Sequence, residues 1–139
     1  MDSPMKYWEG ESLWNCFFDC FAKTNRLKEG IAYLDECLKK EKIGSFYVYR
    51  SQLKALDGQK ESALEDSQKA MELEPKWAIY KLHIQLLLEN EQWEKAHELA
   101  TLAIQKFSED EVLFYLAKLA CEYHRPQEAM EYLQKIEKK

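Results

Sequence analysis

Glycine and proline are scarce in this chain, with four and three residues among 139. A β-sandwich or barrel of this length needs many tight turns, and so few turn formers do not supply them, which leaves long helices as the default. Long apolar runs are missing as well. None approaches the ~20 residues that cross a bilayer as a helix. The first ten residues, with Pro4 and Glu9, are too polar for the apolar centre of a secretory signal.

Basic stretches are also absent. The net charge is −5 and is spread evenly: −1 over residues 1–43, −1 over 44–76, −2 over 77–109 and −1 over 110–139. Nucleic-acid binding depends on Lys and Arg neutralising phosphates, so this balance excludes it, along with attraction to an anionic membrane surface. The glycines are isolated, so there is no Gly-rich loop to cradle a phosphate. Cys16, Cys20, Cys37 and Cys121 form neither a disulfide framework nor a Cys-x2-Cys pair. Free thiols in a helical interior fit a reducing cytosol, and the expected location is cytoplasmic.

What is present is a globular composition, 46% hydrophobic and 32% charged, at the length of one domain. A period organises it. Gly30, Ala63, Ala96 and Ala129 stand 33 residues apart. The same register relates Trp14, Tyr47, Tyr80 and Leu113, as well as Cys20, Leu53, Leu86 and Leu119. A fixed period of this size marks a stacked repeat array. Each unit reads as two helices. In the second unit one helix runs from about Ser45 to Leu56 and stops at Asp57-Gly58, and the other runs from Lys60 to Leu73 and stops ahead of Pro75. Asn90-Glu91 fills the turn of the third unit, and Pro126 opens the last helix. A small residue at the 33-spaced position lets two antiparallel helices approach to the near end of the ~8–10 Å range.

Unit two carries the most specific pattern: Tyr47, then Ala63, Ser67, Ala70 and Pro75. Unit one offers Trp14, Phe17, Phe18 and Phe21, then Gly30 and Leu34. This pattern resembles the tetratricopeptide repeat, whose units carry a Trp/Leu/Gly/Tyr first helix, an Ala and an aromatic in the second, and a closing Pro. The resemblance covers about residues 11–139, in units of about 11–43, 44–76, 77–109 and 110–139. It implies an all-α fold, a right-handed superhelical stack of about four helix-turn-helix repeats and eight helices. Residues 1–10 are expected to pack back on the first helix, with Tyr7 and Trp8 over Leu13 and Cys20.

The resemblance further implies a groove lined by the first helices. Carried over position by position, its residues are Asn15 and Asp19, Val48 and Gln52, Lys81 and Gln85, and Phe114 and Lys118, flanked by Tyr49 and Leu88. The implied function is a non-catalytic scaffold that binds a protein or peptide. The subfamily that clamps acidic chaperone tails uses Lys, Asn and Arg at positions occupied here by Asn15, Asp19, Tyr49, Ala78 and Leu82, so a carboxylate clamp is not expected. No cofactor, metal or catalytic residue is assigned. Cys16 and Cys20 share a helix face and make half a zinc site, but Cys20 holds the packing position of Leu53, Leu86 and Leu119, and the cysteines read as small buried hydrophobes. The alternative function is self-assembly through exposed repeat ends, including self-association through the C-terminal helix at Met130 and Leu133.

Overall fold

The computed structural model describes residues 11–137, and the side chains of residues 16–136. Regular structure among them is entirely α-helical: α1 (Glu11–Lys23), α2 (Leu27–Lys40), α3 (Gly44–Leu56), α4 (Lys60–Leu73), α5 (Trp77–Glu89), α6 (Trp93–Lys106), α7 (Glu109–Glu122) and α8 (Pro126–Glu137). The expected fold-back of residues 1–10, and the side chains of Tyr7, Trp8, Leu13, Trp14 and Asn15, lie outside the described residues.

The helices keep the period of the sequence. The second helices α2, α4, α6 and α8 begin at 27, 60, 93 and 126. Among the first helices, α3 and α5 also start 33 residues apart, whereas α7 starts one residue early, at Glu109. Glu109, Asp110 and Glu111 fill its first turn. The helix dipole favours an acid there by about 0.3–1 kcal/mol, so the early start has a local cause. At the other end of a unit, Pro75 excludes helix from the residue before it. Glu74 accordingly adopts φ −135°, ψ 91°, and α4 ends at Leu73.

The turn inside each unit has a periodic backbone of its own. Asn25, Gly58, Glu91 and His124, again 33 apart, have φ of 56°, 85°, 60° and 57°. In this left-handed turn the next amide reaches back to a carbonyl five residues earlier. Arg26 N–H donates to Phe21 at 2.9 Å, Gln59 to Lys54 at 2.8 Å and Arg125 to Ala120 at 2.8 Å. These bonds satisfy helix-end carbonyls that would otherwise lack donors, as in a Schellman closure. Only one of the four positions is glycine, the residue for which this conformation carries no Cβ penalty.

The chain forms two compact units, Met1–Asn90 and Glu91–Lys139. In the first, α1 meets α2, α3 meets α4, and α2 and α4 pack on the helices that follow them, α3 and α5. The first helices α1, α3 and α5 also touch in succession. In the second unit, α7 packs on both α6 and α8.

Small residues sit where the backbones come closest. Gly30, Ala63, Ala96 and Ala129 are all buried. A Cβ built on Gly30 would stand 2.9 Å from atoms of both Phe21 and Leu53, so α2 leaves no room for a methyl between α1 and α3. At the equivalent place in the next hairpin, the Ser51 hydroxyl donates to the Ala63 carbonyl at 3.0 Å, joining α3 directly to the α4 backbone. Around these crossings Leu34, Phe46, Leu53 and Leu113 are fully buried. Each contributes about 1.5–3 kcal/mol relative to an exposed side chain.

The cysteine expectation needs correcting. Only Cys37 is buried; Cys16, Cys20 and Cys121 are exposed. The position shared by Cys20 and Leu53 faces the second helix of the preceding hairpin, as the approach of Leu53 to Gly30 shows. α1 leaves that position exposed at Cys20. Its packed face is instead built on Phe17, which lies 4.9 Å from the Phe21 ring and 5.5 Å from the Tyr33 ring.

The left-handed turns generate a paired prediction. Gly58→Ala places a Cβ at φ 85° and is expected to lower unfolding free energy by about 1 kcal/mol, while His124→Gly removes that strain and raises it by a similar amount. Urea unfolding of both variants checks this; a shift of the same sign in the two would contradict the assignment.

Candidate functional site

Two polar assemblies lie inside the first unit, and both are built from neighbouring helices. The first centres on Asp66 of α4. Its carboxylate accepts two bonds from Arg50 of α3, from Nε at 2.8 Å and from an Nη at 2.7 Å. Lys54 Nζ lies 3.0 Å from the same carboxylate and donates to Ser62 at 2.8 Å. The other Arg50 Nη donates to Asp35 of α2 at 2.8 Å. The Asp66 side chain is 4% exposed and that of Arg50 16%. Burial opposes the Arg50 charge, but its bonds to Asp66 and Asp35 outweigh that and raise its pKa. The cluster therefore links α2, α3 and α4 with its charges internally matched, a structural tie with no free group to offer a substrate.

The second assembly pairs Ser67 of α4 with His83 of α5 through Oγ and Nδ1. Serine and histidine in contact suggest a nucleophile and its base, but the geometry runs the other way. Ser67 Oγ donates to the Leu64 carbonyl at 3.0 Å. A hydroxyl has one proton to give, so Oγ accepts from the imidazole rather than being activated by it. Ser67 has no exposed surface. Burial lowers the His83 pKa from 6.5 to about 4, which keeps the ring neutral at neutral pH.

The expected groove residues divide by unit. In the first, Asp19 on α1 and Gln85 on α5 are exposed, while Val48, Tyr49 and Gln52 on α3 and Lys81 on α5 are half-buried. Since α1, α3 and α5 touch in succession, these residues belong to one run of adjoining helices. Several are held locally: Asp19 pairs with Lys23 at 3.6 Å, Gln85 donates to Glu89 at 3.4 Å, and the Lys81 ammonium lies 5.8 Å from the centre of the Trp77 ring. In the second unit, Phe114 and Lys118 stand one turn apart on α7, both exposed, Phe114 by 66%. The Asn15 side chain lies outside the described residues.

Leu88 does not belong with them. It is 5% exposed. Leu86, Leu87 and Leu88 are all buried in succession, which a helix achieves only when it is covered on more than one side. α5 is such a helix, and a groove-flanking role for Leu88 is excluded.

Elsewhere, an open cleft of about 300 Å³ is lined by Asn25–Glu29 and Asp57, at the turns rather than along the first helices. Arg26 at its edge is already bonded to Glu29. Among the described residues no three His, Cys, Asp or Glu side chains gather to hold a metal ion, and no helix is long and apolar enough to cross a membrane.

The ion cluster and the Ser–His pair escaped the sequence reading. A signal existed: Asp66 and Ser67 lie between the buried Ala63 and Ala70, and Arg50 and His83 occupy one register position 33 residues apart. Polar residues on an inward stripe call for partners. Nothing in one sequence, however, says which helix supplies them. No known protein-family model matches the chain, and no curated protein matches it.

Two predictions follow from the buried groups. Asp66→Ala leaves Lys54 without its carboxylate and Arg50 with Asp35 alone, and is expected to cost about 3 kcal/mol of stability in urea titration; a loss under ~0.5 kcal/mol would show the cluster to be incidental. For His83, the folded pKa lies below the unfolded one, so the unfolded state takes up a proton first as pH falls. Stability is full above pH 6.5 and drops toward pH 4, by roughly 2–3 kcal/mol from this group. Unfolding midpoints measured from pH 7 to 4 are expected to decline less steeply in His83→Gln, and parallel curves would refute the assignment.

Proposed function

We propose that the chain is a non-catalytic, tetratricopeptide-like scaffold, acting in the cytoplasm, that holds a protein or peptide against the outward faces of its first helices. One observation carries this reading. On α3, α5 and α7 the positions 46/79/112, 47/80/113 and 53/86/119 are all buried. The positions 48/81/114 and 52/85/118, on the same helices, all retain solvent exposure. The repeat therefore spends one face of each first helix on the core and leaves another, in constant register, available.

The chemistry of that face suits an extended or helical segment. Gln52 and Gln85 offer amide donors and acceptors, Val48 and Phe114 offer apolar contact, and Lys81 and Lys118 favour acidic groups on the ligand. The polar assemblies inside the first unit support a non-enzymatic reading: Asp66 is bonded by both of its cations, and Ser67 is sealed.

A peptide-display selection against the intact chain tests the proposal. Selected peptides are expected to perturb amide resonances at the exposed positions of α3 and α5, or of α7. Lys81→Glu or Phe114→Ala should weaken binding of peptides contacting those side chains by about tenfold or more, with Lys28→Ala, near the turn cleft, as the neutral control. Ligands that map instead to α2, α4 or α6 would overturn it.

A further inference from the structure

The contact between a second helix and the first helix that follows it recurs at α2 with α3, α4 with α5, and α6 with α7. On the second-helix side, Leu34, Ser67 and Ala100 hold one register position and are 0%, 0% and 1% exposed. The next member of that series is Leu133 on α8, and it is 42% exposed. Met130, one turn before it, is 54% exposed; its register mates run from the buried Ile31 through the half-buried Leu64 to the exposed His97. On the first-helix side, Leu53, Leu86 and Leu119 are 0%, 7% and 5% exposed. The preceding member of their series, Cys20 on α1, is exposed, as is Cys16 one turn before it. Leu133 on α8 and Cys20 on α1 are thus each uncovered at a position that is covered in the other helices of their kind, while Phe17, the α1 register mate of His83, is already buried.

We infer that these two surfaces are each other's partner between molecules: α8 of one copy docks on α1 of a second copy, in the register that α2 adopts on α3. The occupant is specified by continuity with a contact the fold already makes three times. The match is between apolar and small: Met130 and Leu133 on one side, the Cys16 and Cys20 thiols on the other, which behave as small hydrophobes when covered. Because the two faces differ, the contact is heterologous and propagates head to tail instead of closing on itself as a two-fold dimer. The inference stands independently of the peptide-binding face, which uses other side chains of the first helices.

Sedimentation velocity of the intact chain under reducing conditions, over a range of concentrations, tests it. The wild type is expected to show a concentration-dependent series of species. Leu133→Glu breaks only the α8 face and Cys20→Glu only the α1 face, and each alone is expected to remain monomeric. Both positions are exposed, so the variants should keep the wild-type helical circular dichroism; Met130→Glu and Cys16→Glu serve as second choices. An equimolar mixture of Leu133→Glu and Cys20→Glu retains one intact face of each kind and should form a 1:1 dimer that grows no further. A wild type that is monomeric throughout overturns the inference. So does a Cys20→Glu variant that still self-associates, since that would mean α8 pairs with α8.

Discussion

The close crossing of paired helices at a small residue is the constraint on which the rest of this structure depends. With no side chain at Gly30, α2 approaches until Phe21 and Leu53 occupy the space a methyl would fill. At Ala63 the approach is close enough for the Ser51 hydroxyl to bond the α4 backbone. Interiors are packed to crystal-like density, so such a crossing fixes the helices around it rather than merely permitting them. The spacing of 33 is then a consequence: two helices, one left-handed turn and one extended connection must bring the next small residue to the same place.

The buried polar groups of the first unit act on the same geometry by a different force. Dispersion and area burial are non-directional and tolerate a slip of one helix along another. A two-pronged bond from Arg50 to Asp66 is directional and does not tolerate such a slip. With Asp35 added, the cluster sets the relative positions of α2, α3 and α4. The Ser67–His83 bond does the same for α4 and α5. Buried ion pairs are weak evidence of net stability, and fixing register is the role this placement fits. It also accounts for the absence of spare chemistry here, since each of these groups is engaged by another part of the fold.

Helix content, helix limits and the crossing residues were legible because they rest on local rules. The end of α4 at Leu73 follows from Pro75, and the burial of Ala63, Ala96 and Ala129 follows from periodicity. What was not legible depends on which neighbour a position faces. Cys20 shares a register with three buried leucines but is exposed, because register specifies a face and not whether another helix covers it. Leu88 was placed beside the groove by position within its helix, yet α5 is apolar on several sides and buries it. The left-handed turns were only half visible. Gly58 announces one, whereas Glu91 and His124 adopt the same conformation without the residue that favours it. Of the expected groove residues, Phe114 and Lys118 are exposed, while Val48, Gln52 and Lys81 are half-buried.

The most direct test of the crossing constraint compares Ala63→Leu with Ala78→Leu by equilibrium urea unfolding. Both substitutions add the same atoms to a helical alanine, but Ala63 is fully buried and Ala78 is exposed. Overpacking at Ala63 is expected to cost about 2–3 kcal/mol, while Ala78→Leu should change stability by less than ~0.5 kcal/mol. Equal tolerance at the two sites would contradict the account, because the helices would then not be meeting where the 33-residue period says they do.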